Sequence, residues 1–127
     1  YYTGSVALVN ELSTTTTLVA DGSFFNLISI DLAEAFSQEA IYEASISFIA
    51  TYADGSTYSV DLTTDGSEGL QTFDFGSEMT NLASVSFGNS QSFQFDNIVV
   101  NTVPVPSSLL LLAAGMGVLA GTKRKRA

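Results

Sequence analysis

Cysteine, histidine and tryptophan are absent from the 127-residue chain. Without cysteine no disulfide can form, and without cysteine or histidine a zinc ion lacks its preferred ligands. The same absences exclude Cys-His and Ser-His-Asp catalytic groups, and the chain before Lys123 has no lysine for a Ser-Lys pair. Carboxylates remain, but they are scattered mostly in turns and no pair stands out for glycoside hydrolysis. We therefore expect that the chain is not an enzyme.

Positive charge is confined to one place. All four basic residues, Lys123, Arg124, Lys125 and Arg126, fall within the last five positions. The thirteen acidic residues all precede them. A body that carries only negative charge is repelled by phosphate backbones and by anionic membrane surfaces. The composition thus excludes nucleic acid as a partner of the body.

Apolar side chains alternate with polar ones along much of the body, which is typical of half-buried β-strands. The clearest run covers residues 42–52, where Ile46, Phe48 and Ala50 alternate with Ser45, Ser47, Ile49 and Thr51. Further strands are predicted near Val6 and Leu8 and over residues 14–19, 24–32, 58–62, 70–75, 83–87 and 93–100. Ile28, Ile30 and Leu32 are expected on one face of their strand, and residues 33–40 are expected to form one helical turn.

The turn between residues 52 and 58 can be predicted from parity. A two-residue Asp54-Gly55 loop would place the apolar face of one strand beside the polar face of the next. A three-residue loop that begins at Ala53 instead pairs Ala50 with Tyr58, and it brings the two apolar faces together. We therefore predict the longer loop, with Gly55 in the left-handed region of a bulge. In this register Phe48 pairs with Val60 and Ile46 with Leu62.

Short strands separated by turns, with no long helical pattern between them, predict an all-β fold. We expect an antiparallel β-sandwich with a jelly-roll-like strand order over residues 1–102. The chain begins with Tyr1 rather than methionine, so we expect an N-terminally truncated domain that lacks its first strand or two. Residues 103–127 differ in composition and form a separate tail.

The stretch FQFDNIVV interrupts the alternation, which predicts a bulge near Asp96 and Asn97. The simpler interpretation is that Asn97 satisfies the backbone groups of the bulge. The alternative is a calcium site, because calcium prefers carboxylate and carbonyl oxygens. This stretch resembles the last strand of surface jelly-roll domains, including carbohydrate-binding modules. In those domains an aspartate can contact a structural calcium ion, and that resemblance implies Asp96 and Asn97 as candidate ligands.

The tail has three successive parts. Pro104, Val105 and Pro106 are expected to form an extended hinge, since proline fixes φ and removes a backbone donor. Residues 109–121 carry no charge. A helix from Ser107 to Thr122 would measure about 24 Å at 1.5 Å per residue, close to the roughly 30 Å of a bilayer core. The basic cluster then favours the cytoplasmic side of a membrane. We predict a single C-terminal transmembrane helix.

Together these parts, VPVPSSLLLLAAGMGVLAGTKRKRA, resemble the PEP-CTERM sorting tail of Gram-negative bacteria. That signal consists of a short proline motif, an apolar helix and a terminal basic cluster, in this order. The resemblance covers the tail alone. The middle residue of the family motif is usually glutamate, and Val105 stands there in this chain. An ordinary tail anchor is the alternative, but it does not explain the proline hinge.

The resemblance implies a route of export and processing. The partner would be exosortase, an integral-membrane cysteine protease that cuts near the proline motif. Before the cut the tail would hold the chain in the inner membrane with its body in the periplasm. Afterwards the body would reach the cell surface or the medium. Proteins with this tail accompany exopolysaccharide and biofilm matrix, which implies a structural or adhesive role.

Two classes of function remain open for the body. One is a structural or adhesive matrix protein with an acidic surface. The other is a carbohydrate-binding module for extracellular polysaccharide, with or without calcium. Such modules usually stack tyrosine or tryptophan on sugar rings, and the tyrosines here are Tyr1, Tyr2, Tyr42, Tyr52 and Tyr58. Because Tyr42, Tyr52 and Tyr58 fall on the inward parity of their strands, the sequence favours the first class.

Overall fold

The structure, a computed structural model, describes residues 7–35 and 43–103. These residues form an eight-stranded antiparallel arrangement with one short 3₁₀ turn. The all-β prediction is confirmed. In chain order the strands are β1 (Leu8–Asn10), β2 (Thr15–Val19), β3 (Phe24–Glu34), β4 (Ser45–Tyr52), β5 (Thr57–Thr63), β6 (Gln71–Asp74), β7 (Leu82–Gly88) and β8 (Phe93–Val103), and the 3₁₀ turn is Ser77–Met79.

The strands pair in a nested order. β1 pairs with β8, β2 with β7, β3 with β6 and β4 with β5. In addition, β8 pairs with β3, and β7 pairs with β4. Two sheets result, named here sheet A (β1-β8-β3-β6) and sheet B (β2-β7-β4-β5). They are joined by the single pair Phe25 and Leu82, which gives a β-sandwich-like fold.

Phenylalanine rings occupy the space between the sheets. Phe87 of β7 stacks on Phe48 of β4 with ring centroids 5.1 Å apart, and it meets Phe95 of β8 edge-on at 5.1 Å. The second contact crosses from sheet B to sheet A. Such aromatic pairs add about 0.5–1.5 kcal/mol each beyond the effect of burial. Other fully buried side chains around these rings are Ile30, Leu32, Ile46, Leu82, Val85 and Phe93.

The predicted hairpin register is confirmed. Ala50 lies opposite Tyr58, and the pairs Phe48–Val60 and Ile46–Leu62 follow along the two strands. Gly55 has a φ of 86°, in the left-handed region, and its N–H donates to the carbonyl of Tyr52 at 3.0 Å. The loop has this length because only the longer loop keeps both apolar faces on the core.

The predicted bulge in β8 is also confirmed. Asp31 of β3 lies opposite Asp96, whereas Ser29 lies opposite Val99, so β8 contains one extra residue over this interval. Asn97 stands in the interval with a φ of 47°. Asparagine is among the few residues other than glycine that adopt this conformation readily.

The prediction that Ile28 shares a face with Ile30 and Leu32 is wrong. β3 has a register shift of its own between Leu27 and Ser29, and the inward parity changes there. Ile28 is 40% exposed, whereas Ile30 and Leu32 are fully buried. The two bulges on neighbouring strands offset each other, so the pairing of β3 with β8 continues beyond them. Each bulge also switches which set of alternate residues in its strand faces the core.

The ends of β3 and β8 bear on two further predictions. Ala33 and Glu34 continue β3 rather than beginning a helical turn, and residues 36–40 lie outside the described residues. β8 extends to Val103, one position past the predicted domain boundary.

Within the described ranges, no helix is long and apolar enough to cross a membrane. The predicted transmembrane segment, residues 109–121, lies outside them.

Gly55 provides a test of the hairpin. Gly55→Val should lower the free energy of unfolding by more than about 1 kcal/mol, because a β-branched residue at positive φ is strained. A Cβ at Gly55 would meet no atom within 4 Å, so the loss isolates the backbone effect. Gly55→Asn is the matched control and should cost less. Equal stability of the two variants in urea unfolding would contradict the left-handed conformation.

Candidate functional site

The structure describes one of the predicted site regions, the bulge at Asp96 and Asn97. The sorting motif Pro104, Val105 and Pro106 lies outside the described residues. The basic cluster Lys123, Arg124, Lys125 and Arg126 also lies outside them. The candidate sites that the structure describes lie on the two sheets.

Hydrogen bonds occupy much of the polar surface of the β8 bulge. The backbone N–H of Asn97 donates to Oδ1 of Asp96 at 2.8 Å. The side-chain amide of Asn97 donates to Oδ2 of Asp31, also at 2.8 Å. The other carboxylate oxygen of Asp31 accepts a hydrogen bond from the hydroxyl of Thr72 on β6 at 2.6 Å. One chain of hydrogen bonds thus links β8, β3 and β6 on the outer face of sheet A.

This chain of bonds gives both predicted residues a structural role. Asp96 satisfies the backbone N–H of the residue that carries the bulge, and Asn97 supplies the left-handed conformation. The prediction assigned the backbone bond to Asn97, whereas the acceptor is Asp96. Sequence reasoning also missed Asp31, because its proximity follows from strand pairing. Among residues 7–35 and 43–103, no group of three or more acidic side chains is close enough to hold a metal ion.

A second polar cluster surrounds Glu34 at the end of β3. Glu34 is only 4% exposed, and its Oε1 accepts a hydrogen bond from the N–H of Gly66 at 2.9 Å. Thr64, also buried, hydrogen-bonds the same carboxylate and accepts from the N–H of Ala44 at 2.9 Å. The cluster therefore ties the end of β3 to the segment before β4 and to the loop after β5.

Burial acts to raise the pKa of Glu34, since it disfavours the charged carboxylate. Hydrogen bonds from Thr64 and from the backbone of Glu34 and Gly66 act in the opposite direction. These bonds prevail and hold the pKa below its ordinary value of 4.5. Glu34 is therefore ionised at neutral pH.

The described tyrosines do not form a flat stacking platform. Tyr52 and Tyr58 are half-buried and pack against the core, in agreement with their inward parity. The hydroxyl of Tyr52 donates to the carbonyl of Glu78 at 2.6 Å, which fixes that ring. Tyr1, Tyr2 and Tyr42 lie outside the described residues.

The outward face of sheet B is composed mainly of serine and threonine, and we name it the hydroxyl face. Its side chains come from alternate positions of all four strands. In one row across the sheet Thr17 pairs with Ser86, Ser86 with Ile49 and Ile49 with Ser59. The hydroxyl residues are Thr15, Thr17, Ser45, Ser47, Thr51, Thr57, Ser59, Thr63, Ser84 and Ser86, and the others on this face are Val19, Ile49, Asp61 and Gly88.

Hydrogen bonds hold two pairs of side chains on this face. The hydroxyls of Thr17 and Ser86 are 2.9 Å apart. The hydroxyl of Ser47 donates to Asp61 at 2.7 Å. Most of these serines and threonines alternate with inward apolar residues in the sequence. Only the strand pairing places the four strands side by side and so forms one face.

An apolar groove of about 370 Å³ opens between β2 and the second half of β8. Its floor includes Phe25, Leu18 and Ile98. Val100 lines the same groove and remains 44% exposed. The groove has no charged lining residue.

The lowered pKa of Glu34 predicts how stability depends on pH. A carboxylate whose pKa is lower in the folded state stabilises the fold above its ordinary pKa, and this contribution is lost as the pH falls through the folded-state value. Glu34→Gln should therefore cost about 1–3 kcal/mol at pH 7. The difference from the parent chain should shrink in acid, as measured by urea unfolding across pH.

Glu78→Gln is the control for that experiment, because Glu78 is exposed on the 3₁₀ turn. It should change the stability little at any pH. A Glu34→Gln variant whose stability deficit stays constant down to acid pH would contradict the role given to the ionised carboxylate.

Comparison with known proteins adds no further assignment to these sites. No protein-family model, curated protein or solved structure matches the chain. The function therefore has to be inferred from the residues themselves and from their arrangement in the two sheets.

Proposed function

We propose that the chain is an exported surface or extracellular-matrix protein of a Gram-negative bacterium, sorted through its tail by an exosortase-type protease. The tail anchors the chain in the inner membrane while the body lies in the periplasm. Cleavage near Pro104 and Pro106 then releases the body to the cell surface or the medium. There it serves a structural or adhesive role among extracellular polysaccharides.

The observation that carries this proposal is the separation of charge along the sequence. Every basic residue follows the apolar stretch, and every acidic residue precedes it. Cations at the end of an apolar helix favour the cytoplasmic side of the membrane. A body without cations has no such retention signal. The cut converts an anchored chain into a polyanion by removing all four bases together with the apolar segment.

The position of the last strand supports cleavage at the proline motif. β8 ends at Val103, which pairs with Phe24 of β3. A cut between Val103 and Ser108 therefore leaves every described strand intact. Proline favours extended backbone before it and cannot donate to a sheet ladder. A protease would therefore meet an accessible segment directly beyond the folded body.

The nested strand pairing supports a jelly-roll order for the body. In that order the first strand pairs with the eighth, the second with the seventh, and so on inward, as the four nested pairs do here. Jelly rolls are frequent in lectin and capsid domains. The strand order suits a surface role but does not by itself select a ligand, since one fold hosts many functions.

The second candidate is a carbohydrate-binding module on the same anchor. The hydroxyl face favours it, because an array of mainly neutral donors and acceptors suits a hydroxyl-rich ligand. A calcium-dependent form of this module would use Asp96 and Asn97. The hydrogen bonds of these two residues to each other and to Asp31 already account for their positions in the bulge.

Replacement of the two prolines tests the sorting proposal. Pro104→Ala combined with Pro106→Ala should leave the full-length chain in the inner membrane fraction of the native host, because the protease loses its recognition elements. Thr122→Ala, in the tail but outside the proline motif and the basic cluster, is the control and should be processed. Immunoblots of membrane and culture fractions measure the outcome, and normal release of the double variant would refute the role of the prolines.

The basic cluster can be tested separately. Replacing Lys123, Arg124, Lys125 and Arg126 with glutamine should weaken retention before cleavage, since neutral residues no longer favour the cytoplasmic side. Uncut protein should then reach the periplasm or the medium. Unchanged retention of this variant would contradict the role of the cations.

A further inference from the structure

We propose that the hydroxyl face of sheet B binds a neutral, extended polysaccharide without calcium. The inference rests on the proposed extracellular function and names the surface and the class of ligand. Four features of the described residues carry it: the regular spacing of the hydroxyls, the near absence of charge on this face, an apolar residue at its centre, and the contrast with sheet A.

The strand geometry spaces the hydroxyls regularly. Neighbouring strands lie about 4.8 Å apart, and alternate residues of one strand lie about 6.7 Å apart. In one row Thr17, Ser86 and Ser59 come from three strands, and in the next row Thr51 lies between Ser84 and Thr57. A ligand that meets this array must offer hydrogen-bonding groups over the width of several strands.

The chemistry of the array selects the ligand. A hydroxyl donates one hydrogen bond and accepts others, so its best partners are groups that do both. Sugar hydroxyls have this property, and a polysaccharide repeats them along an extended chain. A single bond between neutral groups contributes only about 0.5–1.5 kcal/mol net. Useful affinity therefore requires many such bonds along a polymer rather than one bound monosaccharide.

The charge on this face excludes ionic polymers. Asp61 is its one charged residue, and the hydroxyl of Ser47 already donates to that carboxylate. An anionic polysaccharide would be repelled by the acidic body as a whole. A cationic polymer would favour sheet A instead, where Asp31, Asp74 and Asp96 lie on the outer face. A neutral polymer is the class that fits sheet B.

Ile49 provides an apolar contact in the middle of the array. It lies between Ser86 and Ser59 in the same row, and it is 48% exposed. Sugar rings present C–H groups as well as hydroxyls, so a partly exposed aliphatic side chain can pack against them. No metal ion is required for contacts of this kind, which separates this surface from the Asp96–Asn97 bulge.

Thr17→Val combined with Ser86→Ala tests the proposal. These two hydroxyls bond to each other, so removing both leaves neither without its partner. Valine preserves the shape of threonine and its preference for strands. The full-length chain in detergent should bind a soluble neutral β-glucan and a galactomannan in affinity electrophoresis. The double variant should bind them about tenfold more weakly.

The matched control is Thr102→Val combined with Ser90→Ala, which makes the same chemical changes away from the hydroxyl face. It should bind both glycans as the parent chain does. Ser59→Ala, an exposed position on β5, is a second variant and should weaken binding about threefold. Unchanged melting temperatures confirm that the variants are folded. Polygalacturonate, the anionic probe, should not bind.

Three results would overturn the proposal: no binding of either neutral glycan, equal binding by the face variants and the parent chain, or binding that disappears with a calcium chelator. Tail processing is read independently from the mass of the protein made in its native host. Failure of glycan binding therefore leaves the sorting proposal standing, and an uncut tail leaves the ligand proposal standing.

Discussion

An excess of carboxylates is the constraint that shapes the surface of the described fold. Lysine, arginine and histidine are all absent from residues 7–35 and 43–103, and several acidic side chains there accept hydrogen bonds from neutral donors. Hydroxyls serve Asp31 and Asp61, and backbone N–H groups serve Glu34 and Asp96. Such bonds to charged groups contribute about 1.5–3 kcal/mol each. They limit the cost of the acids, while the phenylalanine core supplies the driving force for folding.

The outer faces of the two sheets differ in their chemistry. Sheet A carries paired strands with acids on the outer face, including Asp31 directly opposite Asp96. Like charges placed opposite each other are unfavourable, and the amide of Asn97 and the hydroxyl of Thr72 bond to Asp31 at this point. Sheet B carries hydroxyls instead. Asp61 is the one acidic residue on the outer face of sheet B, whereas Asp31, Asp74 and Asp96 lie on that of sheet A.

The sequence predicted most where alternation was continuous. Ile46, Phe48 and Ala50 define an unambiguous face, and parity alone selected the Gly55 loop. Prediction failed at Ile28, because an apolar residue at a bulge looks the same as its buried neighbours Ile30 and Leu32. The hydrogen bonds that link Asp96, Asn97 and Asp31 were not predictable either, and neither was the burial of Glu34. Both depend on which strands become neighbours, and that information is absent from local periodicity.

The central claim is that the anchor is temporary, and the intact mass of the protein isolated from its native host tests it most directly. The tail contains every base and the longest apolar stretch, so its removal changes both charge and mass. The account predicts a mature chain that ends between Val103 and Ser108, just beyond β8. A mature chain that still carries Leu109 to Ala127 would contradict it and would make the tail an ordinary membrane anchor.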